Sequence, residues 1–208
     1  MKRLKTFVFA VLAGLCIGIG GTVYLLLENK VLGATLFTIG LFSICTFGYN
    51  LYTGKVCYVF EREKSYILDV GIIWVGNLVG TWLTAQLELL TRIGPKLQEA
   101  ALKVCEAKLS DDLLSIFVLA IFCNILICVG VEGFNRSKHD LGKYLALFFG
   151  VVVFILCSFE HCVANMYYFS VAGVWSLRTF GYLLIMTLGN AVGGVIIPLG
   201  RKFSEKIG

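Results

Sequence analysis

Runs of apolar residues separated by short polar links make up most of this chain, and six reach the ~20 residues that a helix needs to cross a bilayer. They occupy residues 4–27, 31–60, 66–90, 112–134, 141–172 and 177–199. The second and fifth are too long for one straight crossing, and each carries a polar interruption, at 49–55 and 160–165. Short charged links at 28–30, 61–64 and 135–140 join neighbouring segments. The one long connection, 91–111, holds Gly94 and Pro95 and then an amphipathic charged stretch. This pattern predicts an all-α membrane protein, a single domain over 1–208 with six spans, two of them broken.

Composition supports that reading. Hydrophobic residues make up 58% of the 208 and charged residues 15%, whereas a soluble domain is about 45–50% apolar even with Gly counted. The 23 Gly against 2 Pro suit closely packed helices. Of the eight Cys, none forms a C-x-x-C pair and nearly all lie inside apolar runs, where they act as small hydrophobes. No disulfide framework, metal or cofactor is expected.

The net charge of +5 is spread over segment ends and forms no basic stripe, so no nucleic-acid partner is expected. Lys2, Arg3, Lys5, Lys55, Arg62, Lys64, Arg136, Lys138, Arg201, Lys202 and Lys206 collect on one side. The other side holds Lys30, Arg178 and the mixed-charge stretch 92–108. Both termini are therefore expected in the cytoplasm, in a multi-pass protein of the cell (inner or plasma) membrane. The first apolar run lacks a small-x-small exit and reads as a membrane helix, not a cleaved signal. Asp69, Glu88 and Glu132, near span ends, are expected to face headgroups or solvent, and the aromatics other than Phe37 and Phe154 to face lipid or the interface.

An internal repeat changes the picture further. The stretch 7–20 resembles 117–130 at an offset of 110, Cys45–Phe47 resembles Cys157–Phe159 at 112, and Gly-Asn-x-x-Gly at 76–80 recurs at 189–193, an offset of 113. The halves, about 4–91 and 111–200, hold three spans each. An odd number of spans requires the two halves to lie upside down to one another, an arrangement by which transporters build a site near the midplane from broken helices. Within the repeated motif, Gly76, Gly80, Gly189 and Gly193 allow close helix approach. The buried amides Asn77 and Asn190 need partners, which the loose backbone of the broken helices would provide.

Inside the fifth segment, Glu160 and His161 stand side by side, with Asn165 four residues beyond His161. Ionisable groups at that depth line a polar pathway or pair with one another. An imidazole, with an ordinary pKa of about 6.5, can relay protons or act as a neutral hydrogen-bond donor. Both roles stay open here. An enzyme using Glu160 and His161 is a further alternative, but there is no H-E-x-x-H spacing, nucleotide loop or nucleophile motif to support it.

These residues resemble the formate/nitrite transporter family, which includes formate, nitrite and hydrosulfide channels. The resemblance runs from Leu4 onward and is most specific at 159–166, 76–80, 189–194, Cys123-Asn124 and Leu51-Tyr52-Thr53. It implies a homopentamer of aquaporin-like, six-helix protomers, each with its own pore for a small monovalent anion or its conjugate weak acid, formate foremost. By position in those motifs, His161 matches the family's central histidine, Thr53 the threonine of the second helix's break and Asn124 the fourth-helix asparagine. Lys108 matches the outer lysine that attracts the anion. Phe154 and Ile127 look like the outer constriction, and Leu41 and Leu51 like the inner one, with Phe37 nearby. Glu160 would lie on the substrate path.

Three departures bear on mechanism. The chain starts directly at its first span without the family's usual amphipathic helix, so pH gating attributed to that helix is not expected to carry over. Asn50 stands where many members have an acid, and Lys55 where a neutral residue is usual. Both changes make the mouth on that side more positive.

Overall fold

The interruptions foretold in the second and fifth segments fall at 48–51 and 157–161, and both are built alike. In a computed structural model, which describes residues 1–207, the backbone turns left-handed at Gly48 (φ 70°) and at Ser158 (φ 55°). The following N–H then reaches back along the helix, Tyr49 to Ile44 O and Phe159 to Phe154 O, both at 2.9 Å. Glycine adopts that conformation freely, whereas a side-chain-bearing residue is disfavoured there by about 1–2 kcal/mol. The two breaks thus superpose at an offset of 110, which corrects the 112 read from Cys45 and Cys157.

The described helices are α1 (Lys2–Leu26), α2 (Lys30–Phe37), α3 (Ile39–Phe47), α4 (Tyr52–Lys55), α5 (Tyr66–Leu89), α6 (Gly94–Leu109), α7 (Leu113–Arg136), α8 (Asp140–Leu156), α9 (Cys162–Ala172) and α10 (Leu177–Ile207). Five stretches are long and apolar enough to cross a membrane: α1, α2 with α3, α5, α7 and α10. The sixth crossing is α8 with α9, shortened individually by the break. Apolar side chains such as Val75, Trp82, Phe122, Phe149 and Leu188 cover the outside, while Thr53, Asn77, Asn124, Glu160, His161, Asn165 and Asn190 are buried. Gly48, Cys157 and Ser158 of the breaks reach the protomer surface, whereas the residues that end each break, Leu51, Glu160 and His161, are interior, where protein groups satisfy the unwound backbone.

The two asparagines perform the role expected of them. Asn77 Oδ1 accepts from Tyr52 N at 2.8 Å, and its Nδ2 donates to Ala10 O and Asn50 O. Asn190 Oδ1 accepts from Cys162 N at 2.9 Å, and its Nδ2 donates to Ala120 O and Glu160 O. Each amide therefore ties the first turn of a half-helix, the last residues of a break and a neighbouring span into one unit. Replacing Asn190 by Ala strands a buried N–H and is expected to cost about 1–3 kcal/mol. The change should appear as a lower thermal midpoint of the purified protein in detergent, and Asn77→Ala should match it.

Both termini lie on one face, because Asn50 Nδ2 donates to Thr6 O and Arg201 pairs with Glu61. Two acids expected at headgroups or solvent are instead engaged inside the bundle's ends. Glu132 is buried and held by Tyr58, Arg136 and Arg201. Glu88 accepts from the hydroxyls of Thr22 and Tyr167. Tyr167 itself is fully buried, as are Phe169 and Met166, so α9 is an interior helix with no lipid-facing aromatic side.

Candidate permeation site between the two broken helices

Leu97, Ala101 and Cys105 recur every four residues along α6 and form its buried stripe. Lys108 follows one turn after Cys105, so the same geometry carries it inward over the second break. There its Nζ lies 2.7 Å from Glu160 Oε2, an oxygen that also accepts from Asn165 Nδ2 at 2.6 Å. Glu160 thus turns away from its sequence neighbour His161 and matches Lys108. The lysine is not a free cation, a point that its position in the sequence did not reveal.

His161 is the N-cap of α9. Its Nδ1 accepts from Ala164 N at 3.0 Å, its Nε2 lies 3.0 Å from Thr53 Oγ1, and its ring stacks on Phe154 at 5.5 Å. With Nδ1 accepting, a neutral ring carries its proton on Nε2 and donates to Thr53. A second proton would have to enter at Nδ1, opposing the backbone N–H that now caps the helix. The Thr53 hydroxyl, already accepting, keeps its own hydrogen available.

Asn124 completes the centre. Its Nδ2 donates to Thr53 O at 3.1 Å and to Asn190 O at 2.6 Å, joining α7 to both halves of the repeat. Its Oδ1, like that of Asn165, is buried without a partner among the described residues. Such orphans are rare in native proteins and call for an explanation.

Two vestibules approach this centre. The larger, a cavity of about 590 Å³ on the α6 side, has Lys108, Glu160, Asn165, Phe154 and His161 in its wall. The smaller, about 130 Å³ on the face of the termini, has Leu41, Leu51 and Lys55 in its wall. The residues expected to constrict the path, Phe37, Leu41, Leu51, Ile127 and Phe154, are each at most 3% exposed; Leu41 and Leu51 line the smaller vestibule and Phe154 the larger. Phe37 meets Phe154, a wall residue of the larger vestibule, edge to face at 6.2 Å, but itself lines neither vestibule. Ile127 lines neither vestibule. The four motif glycines lie away from the path, at the α1–α5 and α7–α10 contacts.

The family model for formate/nitrite transporters matches residues 1–201. The chain belongs to the formate/nitrite transporter family. An uncharacterized transporter, YrhG of Bacillus subtilis, is 30% identical over 183 residues, covering 81% of this chain and 68% of the relative. The nitrite transporter NirC of Salmonella typhimurium is 29% identical over 220 residues, covering 93% and 80%. Among solved structures, a pentameric formate channel with formate bound aligns with a TM-score of 0.84 at 23% identity, covering 100% of this chain and 98% of that one. An ion channel of the same family aligns at 0.79 with 26% identity, covering 97% and 89%. The six-span inverted-repeat fold with two broken helices is therefore this family's. Its matched members are channels and transporters, not enzymes, and the reading of Glu160 and His161 as an intramembrane catalytic pair falls.

Proposed function

We propose that this formate/nitrite transporter is a homopentameric channel of the cell membrane, with both termini cytoplasmic, that passes a small monovalent anion as its conjugate weak acid, formate foremost. The supporting observation is the hydrogen-bond order at the centre. Ala164 N–H occupies His161 Nδ1, His161 donates to Thr53, and beside them remain one donor, the Thr53 hydroxyl, and one acceptor, Asn124 Oδ1, while the second unpartnered acceptor, Asn165 Oδ1, belongs to the wall residue nearer the larger vestibule. A protonated carboxyl offers one acceptor and one donor in return. A carboxylate offers acceptors alone and leaves the asparagine oxygen unpaired. His161 then acts as a neutral positioning donor, not as a proton relay.

The rest of the path supports the same sequence of events. An anion in the larger vestibule meets Lys108, which it must share with Glu160, and Asn165 beside them. Moving inward it loses hydration, which disfavours its charged form. Crossing the apolar closure as an ion is far more costly than crossing as a neutral acid. Nitrite and hydrosulfide are the alternative cargoes of the same fold, and hydrosulfide, lacking a carbonyl acceptor, matches the centre less well.

Stopped-flow uptake into proteoliposomes across a panel of weak acids at two pH values tests this reading. Wild-type uptake is expected to rise as pH falls, following the neutral fraction of each acid. His161→Phe, which removes a donor worth about 0.5–1.5 kcal/mol, is expected to slow formate up to about tenfold while keeping the pH dependence. A pH dependence erased by His161→Phe would make the ring a relay. Undiminished and equally selective flux would remove it from the mechanism.

A further inference from the structure

The two halves of the repeat place different chemistry at matching positions of their breaks. With Gly48 on Ser158, position 50 falls on 160 and position 55 on 165. Backbone hydrogen bonds carry the equivalence: Asn50 N to Phe9 O matches Glu160 N to Leu119 O, and Lys55 N to Leu51 O matches Asn165 N to His161 O. Where the second half has an acid and then an amide, the first has an amide and then a lysine.

The electrostatic outcome differs accordingly. At the second break Glu160 and Lys108 neutralise each other. At the first there is no acid: Asn50 spends its Nδ2 on Thr6 O, and Lys55 Nζ enters none of the ion pairs among the described residues. Lys55 nonetheless lines the smaller vestibule and is the single charged side chain in its wall among the described residues. Acids near that mouth are already engaged, Glu132 by Tyr58, Arg136 and Arg201, and Glu61 by Arg201. A recessed, half-dry cation without a counter-charge concentrates anions and binds them more strongly than an open surface would.

We infer that Lys55 is an anion-capture site of the vestibule on the face of the termini, holding a small monovalent anion immediately outside the Leu41–Leu51 closure. The cavity of about 130 Å³ has room for on the order of four waters at ~30 Å³ each, enough for a three-atom anion with part of its hydration. Asn135 in the same wall offers polar contact to that hydration, whereas the Tyr58 hydroxyl is committed to Glu132. The identity of the anion as formate rests on the function proposed above; the capture site itself does not.

Two measurements separate the ideas. In proteoliposomes of fixed orientation, Lys55→Gln is expected to raise the half-saturating formate concentration about fivefold when substrate is supplied on the face of the termini, and to leave the other face unchanged. Lys55→Arg should restore the wild-type value. Lys55→Gln indistinguishable from wild type at low ionic strength, in vesicles that do carry formate, overturns the capture site. If wild-type vesicles carry no weak acid, the proposed function fails, and capture is then read directly as ¹³C line broadening of formate by the detergent-solubilised protein. Broadening weakened in Lys55→Gln and regained in Lys55→Arg sustains the site; broadening equal in all three proteins overturns it.

Discussion

Gly193→Ala is expected to prevent recovery of a monodisperse folded protein, and Gly80→Ala to do the same. A Cβ at Gly193 would stand 2.1 Å from Ile121 O, and one at Gly80 2.1 Å from Val11 O. Both obstacles are backbone carbonyls within helices, which cannot rotate aside as a flexible side chain would. The α7–α10 and α1–α5 pairs would have to separate along their length, at about 3 kcal/mol or more each. The same pairs hold Asn190 and Asn77 against Ala120 O and Ala10 O, so separation also loosens the breaks. Size-exclusion profile and thermal midpoint after solubilisation report the outcome. Alanine variants that elute and melt like wild type would show that these spans pack less closely than described.

The Lys108–Glu160 pair gives the second large effect. With side chains 14% and 4% exposed, removing one member leaves an uncompensated charge in a poorly solvated wall, which costs about 3–5 kcal/mol. Glu160→Ala is therefore expected to lower the thermal midpoint sharply, the more so because Asn165 loses its acceptor. The double change Glu160→Gln with Lys108→Met removes both charges, and should recover most of that loss. If the losses of Glu160→Gln alone and Lys108→Met alone simply add in the double variant, the ion pair does not exist in the membrane. Formate uptake by the double variant then measures what the pair contributes to entry, separately from what it contributes to folding.

Much of this architecture was legible beforehand because lipid imposes strong, local constraints. Each span announced itself by length and apolarity, and the overlong second and fifth segments announced their own breaks. The roles of Asn77 and Asn190 followed from the need of any buried amide for partners. What the sequence hid was pairing across distance. Glu160 beside His161 invited a joint role, yet residue-to-residue adjacency in a break says nothing of side-chain direction, and the carboxylate's partner is 52 positions away on α6. Glu132 could have been suspected from Arg136 four residues on, but Arg201 and Tyr58 come from elements that meet it only in three dimensions. The register of the repeat was misjudged at Cys45 and Cys157 because apolar letters interchange easily there. The left-handed residues, Gly48 and Ser158, carry the true equivalence, and Ser158 gives no outward sign of its conformation.

Since the two breaks share one backbone plan, any tendency of this molecule to conduct better in one direction must come from what stands around them: α6 with Lys108 on one side, and the unmatched Lys55 on the other. Replacing Lys55 by glutamine removes the unmatched charge of the first entrance and should bring the two entrances toward equality. Rectification should then fade while the protein keeps its shape.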